Sequence, residues 1–572
     1  TSVESGEILK KYISITDRGS YSANVASKIS LKNYTKGTNG LLGSSTVTNT
    51  TEGTGAPSTA TELDDKMQFF MTLLNSPYSY FGEGTKIAVL SPNGNANHKG
   101  TVINLETEGV SGKKFIDLKN SGKIDTAVFD KITEYTTLTG LTNSTNGQLY
   151  HVNKGTVELG GNGTRYIHTT FNGGNSRVNV IENRGKIVSM NYKDNNYATT
   201  DNIVYFHSPD SSATGAQHIY VNNSSGIIEM YGEKSVLTLY TASSNQLNQG
   251  DVSFINDGNI NLYGRSSTAI AINKDTKGLL TANSSFIVNK AINLYGDESV
   301  GLYVLNSGAG VNNAKNQVKF IIGAGNLKDN LTESYKSTNS LVDNSKIQLA
   351  NSNKDGKDET LTEKAIGIFQ DNDDGTNTKT LKVKINQLDL EKYSKESIGV
   401  YVKSGKFIAD SSVADNNINI NGGEANIGLY AKGGDIDFKG NLTMGGSKLV
   451  KDDKEAPYAD NVPGKGNNEG KGNIGIYAAS GKTVHYKDGT FKTYNDYGVK
   501  NSTTNPGKIE AVTEPNKGIT RDGTGVYAQG IVKLEGTTDI KLKAGSTGEN
   551  TGVSVNGAGA KVTLKTGKDS NN

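Results

Sequence analysis

A short apolar strand motif that ends in Tyr-Gly recurs along this chain at a fixed interval. It occurs as IIEMYG (227–232), NINLYG (259–264) and AINLYG (291–296), so that its tyrosines lie 32 residues apart. Further apolar runs follow each copy, and one unit therefore predicts three short strands and three turns. A single unit cannot bury its apolar face alone, whereas stacked units can. The repeat predicts an all-β parallel β-helix with three-strand rungs of about 30 residues.

The length and composition favour a stack over one compact core. The chain has 572 residues, whereas a single hydrophobic core stops growing at about 250–300 residues. The alternative is a β-sandwich, but sandwich strands are joined in hairpins and carry no repeating sequence. Lys and Arg total 60 against 58 Asp and Glu. This balance gives no reason to expect nucleic acid as a partner.

A second motif places glycine inside a strand. It occurs as IGVY (398–401), IGLY (427–430) and IGIY (474–477), with related copies at 300–303, 366–369 and 524–527. Because glycine normally weakens a strand, its recurrence predicts a crowded position that tolerates no Cβ atom.

Strand alternation predicts which side chains face the core. In Ile260-Asn261-Leu262-Tyr263 we expect Ile and Leu to point inward and Asn to point the other way. Stacked asparagines both donate and accept hydrogen bonds, so we expect Asn ladders. We interpret the terminal tyrosine as an inward-facing residue that marks the register of the rung. A third motif, Asn-x-Gly-x-Ile/Val, as at Asn153 and Asn183, predicts turns that lead into strands.

Several stretches interrupt the repeat. Residues 1–100 predict a separate β-rich region with one short helical insertion at 59–75, because apolar residues recur there at helical spacing. Residues 101–572 predict the β-helical rod. Loops are expected to project from it near 191–217, as Asn191–Thr200 and Ser208–Gln217, and near 447–472. Insertions in solenoids often form the binding face.

Aromatic residues in these interruptions are the candidate binding residues. An aromatic loop that contains Tyr78, Tyr80 and Phe81 follows the predicted helix. The projecting loops add Tyr192, Tyr197 and Tyr458. Aromatic side chains with polar tips stack on sugars and anchor protein contacts. Packing of the first three residues behind the helix is the alternative interpretation.

No pattern in the sequence predicts catalysis, a cofactor or a metal. The six histidines are scattered without the spacing of metal ligands. Asp371–Gly375 resembles the start of a calcium loop, but Lys382 stands where the bidentate acid belongs. We therefore expect no catalytic residues, no metal and no cofactor, and we expect the protein not to be an enzyme.

Four runs resemble the repeats of type V autotransporter passenger domains, and in particular those of the giant fusobacterial outer-membrane adhesins. They are GVYVKSGKF (399–407), IGLYAKGGDIDFKG (427–440), IGIYAASGKTV (474–484) and GVYAQGIVKLEG (525–536). The resemblance covers roughly residues 100–570. It implies a right-handed parallel β-helix, a monomeric passenger, and display on the bacterial surface through a C-terminal outer-membrane barrel outside this chain.

The resemblance also implies adhesion as the function. Its expected partners are a host cell-surface protein, such as an immunoglobulin-superfamily receptor, a glycan, or partner bacteria. Two alternatives stay open. Parallel β-helices also include polysaccharide lyases and glycosidases, and the segment could be a spacer that displays a binding tip located elsewhere.

Overall fold

The computed structural model describes the secondary structure of a large part of the chain, in two compact units. The first comprises Thr1–Lys290, Leu305–Lys319 and Asn326–Asn344, and the second comprises Ala291–Val304, Phe320–Gly325 and Ser345–Asn572. The described residues are 13–16, 71–72, 78–81, 83, 86–91, 101–105, 114–138, 147–161, 163–169, 178–189, 201–208, 217–241, 251–273, 285–305, 319–322, 347–349, 361–371, 380–409, 416–445, 470–493, 500–501, 509–510, 522–540 and 551–565.

Among the described residues, the first unit consists of short strands with two helices between the fifth and sixth strands. The helices are α1 (Phe115–Asn120) and α2 (Thr126–Leu138). The strands are β1 (Ile13–Thr16), β2 (Met71–Thr72), β3 (Tyr78–Phe81), β4 (Lys86–Ser91), β5 (Thr101–Leu105), β6 (Gln148–Asn153), β7 (Thr156–Gly161), β8 (Arg165–Thr169), β9 (Val178–Asn183), β10 (Lys186–Ser189), β11 (Ile203–His207), β12 (Gln217–Asn222), β13 (Ile227–Met230), β14 (Val236–Thr241), β15 (Asp251–Asn256), β16 (Asn259–Leu262), β17 (Thr268–Asn273) and β18 (Ser285–Val288).

These strands form three sheets, and successive strands of the chain pass from one sheet to the next. The first sheet has the order β1-β3-β6-β9-β12-β15-β18, the second β4-β7-β10-β13-β16 and the third β2-β5-β8-β11-β14-β17. Apart from the antiparallel β1–β3 pair, neighbours are parallel. Three parallel strands per turn, repeated turn after turn, define a parallel β-helix.

The second unit repeats this arrangement. Its strands are β19 (Ile292–Leu294), β20 (Val300–Leu305), β21 (Lys319–Ile322), β22 (Ile347–Leu349), β23 (Thr362–Glu363), β24 (Ile366–Asp371), β25 (Thr380–Ile385), β26 (Leu388–Glu391), β27 (Ser394–Lys395), β28 (Ile398–Val402), β29 (Lys406–Ala409), β30 (Asn417–Asn421), β31 (Ile427–Ala431), β32 (Asp435–Lys439), β33 (Asn441–Gly445), β34 (Ile474–Ala478), β35 (Thr483–Asp488), β36 (Thr490–Thr493), β37 (Lys500–Asn501), β38 (Ile509–Glu510), β39 (Thr524–Ala528), β40 (Ile531–Leu534), β41 (Thr537–Ile540), β42 (Thr551–Val555) and β43 (Lys561–Leu564).

Three sheets again carry the chain from turn to turn. The first has the order β21-β25-β29-β32-β35-β40-β43, the second β19-β22-β26-β30-β33-β36-β41 and the third β20-β24-β28-β31-β34-β39-β42. The pairs within them are parallel. The predicted parallel β-helix with three-strand rungs is confirmed for each unit. Right-handed crossovers, which join parallel strands in about 98% of cases, remain the expected sense of the coil.

The core follows from strand alternation. In β32, Ile436 and Phe438 are fully buried, whereas Asp435 and Asp437 are only partly buried. Successive side chains of a strand point to opposite faces, so the apolar set lies inside the coil. The inward side chains of the three sheets therefore fill each coil.

The alternation also corrects one prediction. Ile260 and Leu262 are fully buried, and the following residue, Tyr263, is partly exposed. Tyr231 is 37% exposed, and its ring stacks on that of Tyr263 with 4.7 Å between centroids. The prediction of an inward tyrosine is wrong for these two residues, because the residue after an inward Leu faces outward. Tyr295 is buried.

The glycine of the second motif is confirmed as a crowded position. A Cβ atom on Gly399 would lie 2.6 Å from the carbonyl oxygen of Gly428, and one on Gly428 would lie 2.7 Å from that of Gly475. The same Cβ atoms would also meet leucine side chains of the second sheet, such as Leu442 at 3.0 Å from Gly428. Contacts this short require the backbone to move, so only glycine fits.

One corner of the coil has a fixed backbone conformation. Eight non-glycine residues stand two positions before a strand of the third sheet and have a positive φ, between 50° and 58°. They are Asp201, Lys234, Ser266, Glu298, Lys364, Glu396, Ala425 and Asp522. The residue that follows is small and buried, as at Ser235, Ser397 and Asn426. The left-handed residue turns the chain and the small residue fills the tight corner.

The two described helices lie outside the predicted helical segment. Of the predicted helix at 59–75, Met71–Thr72 forms strand β2, paired in parallel with β5, so the prediction is wrong there. The rest of that segment lies outside the described residues. The helices α1 and α2 instead bury Phe115, Leu118, Ile132 and Tyr135. Pairing with β5 overrides the helical spacing at Met71.

Candidate functional site

The predicted aromatic loop is a strand. Tyr78 and Phe81 lie in β3 and are 8% and 0% exposed, while Tyr80 is partly exposed. Tyr78 stacks on Tyr150 with 5.9 Å between ring centroids, and burial raises the pKa of Tyr78 to about 12. Phe81 packs edge-on against His151. The loop prediction is wrong, because β3 pairs with β6 inside the first sheet and its rings fill the structure rather than face a partner.

The other predicted site residues, Tyr192, Tyr197 and Tyr458, lie outside the described residues, as does most of both predicted projecting loops. The pairing around the second loop is described. Strand β31 pairs directly with β34, and Tyr430 is the register partner of Tyr477. The register of the third sheet therefore continues from β31 to β34.

The outer face of the third sheet in the second unit carries a continuous row of aromatic rings. We call it the aromatic row: Tyr303, Phe369, Tyr401, Tyr430, Tyr477 and Tyr527. Successive ring centroids are 5.0, 5.3, 5.2, 4.6 and 5.0 Å apart. All six side chains are partly exposed. At a strand spacing of ~4.8 Å the row is about 24 Å long.

A second row runs beside it on the same face. We call it the aliphatic row: Val300, Ile366, Ile398, Ile427, Ile474 and Thr524. These side chains are also partly exposed. Both rows face outward because the two residues between them, Gly399 and Val400 in β28, are both buried. The glycine brings no side chain into the core, so two consecutive residues can point inward.

The two rows carry no formal charge. Burial raises the pKa of Tyr401 and of Tyr430 above its ordinary value, so these phenols stay neutral at physiological pH. Exposed Lys403 and Lys432 lie just beyond the aromatic row, at the ends of β28 and β31. The ammonium group of Lys403 lies 2.6 Å from Asp371, and this hydrogen bond raises the pKa of Lys403. The face is therefore neutral, and the border beyond the aromatic row carries the Asp371–Lys403 ion pair and exposed Lys432.

The ring geometry determines what this face can bind. Near-parallel pairs, such as Tyr303–Phe369 at 7°, alternate with edge-to-face pairs, such as Tyr430–Tyr477 at 86°. The rings thus contact one another along the row, and the hydroxyl groups of Tyr477 and Tyr527 bond to Gln529 and Asn556. A contiguous apolar surface of this kind marks an interaction site in soluble proteins. It offers van der Waals contact and a line of phenol hydroxyls.

A buried charged cluster lies in the first unit. The carboxylate of Glu182, which is 0% exposed, accepts hydrogen bonds from Tyr150 Oη, from Asn223 Nδ2 at 2.7 Å and from Tyr135 Oη at 3.2 Å. Arg184 Nε lies 3.0 Å from the same carboxylate. Because Tyr135 belongs to α2, this network fastens the helices to the coil. Its carboxylate is enclosed by its own partners.

None of the six residues of the aromatic row was predicted from the sequence to be a binding residue. The signal was present, since the aromatic residue of the motif stands three positions after its aliphatic one in every copy. Among the described residues, no group of three or more His, Cys, Asp or Glu is placed to hold a metal ion. No helix in the described part of the chain is long and apolar enough to cross a membrane.

Comparison of the chain with protein-family models, with curated proteins and with solved structures gives no match in any of the three. The fold class and the outer face of the third sheet therefore carry the functional argument.

Proposed function

We propose that this chain is a surface-exposed adhesin segment that attaches bacteria to host cells or to other bacteria. The observation that carries the proposal is the pair of outward rows on the third sheet of the second unit. Twelve uncharged side chains stay partly exposed there, although a solvated sheet face would normally alternate to polar residues. A surface kept apolar at the cost of solubility is best explained by a partner that covers it.

The resemblance of the IGxY runs to autotransporter passengers supports the same proposal from the sequence side. It places the segment on the bacterial surface, anchored in the outer membrane through a barrel outside this chain. The partner is a host cell-surface protein, a glycan, or a surface component of a partner bacterium. The passenger acts as a monomer.

The alternative of a lyase or glycosidase calls for acids clustered on an accessible face. The one fully buried carboxylate cluster described above, around Glu182, is saturated by Tyr135, Tyr150 and Asn223 beneath α2. This arrangement favours a structural role over a catalytic one. We therefore propose that the protein is not an enzyme.

Binding of the intact chain to cultured epithelial cells and to other bacteria tests the proposal. We expect saturable binding by the native chain and at least a tenfold loss for Ile398→Lys, which places a charge in the aliphatic row without removing a ring. The matched control is Tyr231→Ser with Tyr263→Ser, which removes a stacked outward pair in the first unit. The control should bind like the native chain.

Three results would speak against the proposal. A native chain that binds no cell supports the spacer alternative. If Ile398→Lys and the control lose binding equally, the outer face of the third sheet is not the binding site. Release of reducing ends from polymeric glycans would support an enzyme. Circular dichroism spectra of all variants confirm that each retains its strand content.

A further inference from the structure

The first unit shows how this fold covers an apolar outer sheet face. In its first sheet Tyr220 and Phe254 contact Tyr205 of the third sheet and therefore point into the coil. Their sequence neighbours Ile219 and Ile255 point outward by alternation. Both are nevertheless 0% exposed. An apolar outer face is thus present here, and it is covered.

The cover includes the chain's own helices. Strands β6 and β9 are buried at every residue, on both faces. Tyr135 of α2 is bonded to Glu182 of β9, and the backbone N–H of Phe115 in α1 donates to the side chain of Gln148 in β6. The buried sides of these helices carry Phe115, Leu118, Ile132 and Tyr135. Amphipathic helices therefore cover the outward face of this sheet.

Among the described residues, the third sheet of the second unit presents a similar apolar face that no helix covers. Its aromatic and aliphatic rows are partly exposed, and the described residues of the second unit include no helix. The two rows stand three residues apart along each strand, about 10 Å at ~3.3 Å per residue. That width matches the ~10–12 Å diameter of one helix with its side chains. The length of about 24 Å matches about 16 helical residues at ~1.5 Å each.

The border of the face adds a charge preference. Exposed Glu396 and Asp522 stand two residues before the aliphatic row on one side of the face. On the other side lie exposed Lys432 and Lys403, whose ammonium group pairs with Asp371. A helix that lies along the rows would bring one of its polar flanks beside these ammonium groups. Acidic side chains on that flank would be favoured there, and basic ones disfavoured.

We propose that the outer face of the third sheet in the second unit docks an amphipathic α-helix of a partner protein. The helix runs along the rows for about 16 residues, packs its apolar stripe on them and places acidic residues beside Lys403 and Lys432. This inference rests on the proposed function, because the partner protein is the attachment target. It commits to a protein, and a glycan target is an outcome of the test.

Synthetic helices test the site directly. The probes are three 16-residue peptides: an amphipathic helix with a Leu stripe and Glu flanks, the same helix with Lys flanks, and a scrambled sequence of the first. Fluorescence anisotropy with the intact chain should show at least tenfold tighter binding of the Glu helix than of the Lys helix. The scrambled peptide should bind at least a hundredfold more weakly.

Variants locate the binding. Ile398→Lys should weaken binding of the Glu helix at least tenfold, and Lys403→Glu with Lys432→Glu should reverse the preference between the two helices. The Tyr231→Ser, Tyr263→Ser control should change neither. Hydrogen exchange should show new protection at 366–371, 398–402 and 427–431. Equal binding of the scrambled peptide, no binding of the Glu helix, or protection elsewhere would each overturn the proposal.

Binding to target cells that were treated with protease or periodate distinguishes this inference from the proposed function. If the partner is a helical protein, protease treatment of the target cells abolishes binding of the native chain, and periodate oxidation of their glycans does not. The reverse pattern overturns the docked helix but leaves adhesion standing. A native chain that binds no cells while it binds the Glu helix would sink the adhesin proposal and leave the docking site intact.

Discussion

At the scale of single residues, the glycine of the IGxY motif links the core to the outer face. It allows two consecutive residues to point inward, and so it places an aliphatic and an aromatic side chain outside on the same strand. Gly428 packs against the carbonyl oxygen of Gly475 and the side chain of Leu442. The sequence shows the motif, but only the stacked structure shows how close the glycine lies to the next rung.

The substitution Gly428→Ala tests this role. The new Cβ atom would lie 2.7 Å from the Gly475 oxygen. Overpacking of this kind costs about 1–3 kcal/mol. Hydrogen exchange of the peptide 427–445 should therefore accelerate by roughly five- to a hundredfold at constant temperature. Thr443→Ala on the partly exposed side of β33 is the control, and a surface change of this type should stay within about ±0.5 kcal/mol. Unchanged exchange in Gly428→Ala would contradict the crowding argument.

At the scale of elements, the first sheet of the first unit is held by a buried ladder of asparagines. Asn153 Nδ2 donates to Asn183 Oδ1 at 2.8 Å, Asn183 to Asn222 at 2.9 Å, and Asn222 to Asn256 at 2.9 Å. All four are 0% exposed. The ladder ends on the carbonyl oxygen of Lys290, 2.9 Å from Asn256 Nδ2. Amide side chains suit this arrangement because each both donates and accepts.

Removal of one asparagine from the ladder should lower the free energy of unfolding of the first unit. In Asn222→Leu, the Nδ2 group of Asn183 and the Oδ1 atom of Asn256 each lose one hydrogen bond. Asn183 Nδ2 keeps its bond to the Gly185 carbonyl oxygen at 3.2 Å, and Asn256 Oδ1 keeps the Gly258 N–H at 3.2 Å. Because a net hydrogen bond contributes about 0.5–1.5 kcal/mol, we expect the free energy of unfolding of the first unit to fall by about 1–3 kcal/mol. The measurement is the free energy of unfolding from urea titration, followed by exchange of residues 217–241.

The control for the ladder is Asn259→Ala, an exposed asparagine in the neighbouring strand β16. It should change the free energy of unfolding by less than about 0.5 kcal/mol. Equal effects of the two substitutions would show that the ladder adds nothing to stability.

The helices were only partly predictable from the sequence. Val128, Phe129, Ile132 and Tyr135 recur at helical spacing, so α2 was readable in the sequence. The prediction instead followed a similar pattern at 59–75, where Met71–Thr72 pairs as a strand. The spacing of apolar residues alone does not show which of two such segments forms a helix that packs on the coil. The bond from Tyr135 to Glu182 is what identifies α2 as the helix docked on the coil.

At the scale of the whole molecule, the interiors of the two units differ in chemistry. The first coil encloses His151, His207 and His218, all 0% exposed. His151 bonds to the hydroxyl of Tyr166 at 2.8 Å, and the two ring nitrogens of His207 have no hydrogen-bond partner among the described residues. The second coil is lined by aliphatic residues such as Val400, Leu429 and Ile476. As the pH falls, the first unit should therefore lose stability before the second unit does.

Burial lowers the pKa of His151 and of His218 to about 3, and lowers that of His207 well below its ordinary value. The folded state thus binds fewer protons than the unfolded state, where histidine titrates near ~6.5. Stability conferred by the neutral rings is complete above that value and is lost as the pH falls through the window from about 6.5 to 3. At pH 5, His151 and His218 should each cost about 2 kcal/mol.

Urea unfolding at pH 7 and pH 5, read by hydrogen exchange in the first unit, checks this prediction. His218→Asn, which cannot gain a proton in this range, should reduce the difference in unfolding free energy between the two pH values by about 2 kcal/mol. Peptides from the second unit serve as the internal comparison. Unfolding free energies that stay equal between pH 7 and pH 5 would show that the buried rings do not titrate as argued.

The sequence by itself determined the architecture. A repeat of three apolar runs with alternating side chains can bury its apolar face only by stacking, and the crowded glycine follows from the same pattern. The left-handed corner was not readable, because Lys234, Glu298 and Glu396 are not residue types that signal a positive φ. There the backbone is fixed by the neighbouring rungs rather than by the residue.

Only the tertiary structure decided which faces are covered. Tyr78 and Phe81 were predicted to lie in a binding loop and are buried in a strand, whereas the IGxY tyrosines, for which no binding role was predicted, lie partly exposed in a row. The physical reason is that exposure depends on what packs across a face from distant parts of the chain. Strand periodicity fixes the side of the sheet for each residue, and it carries no information about whether a helix or solvent lies on that side.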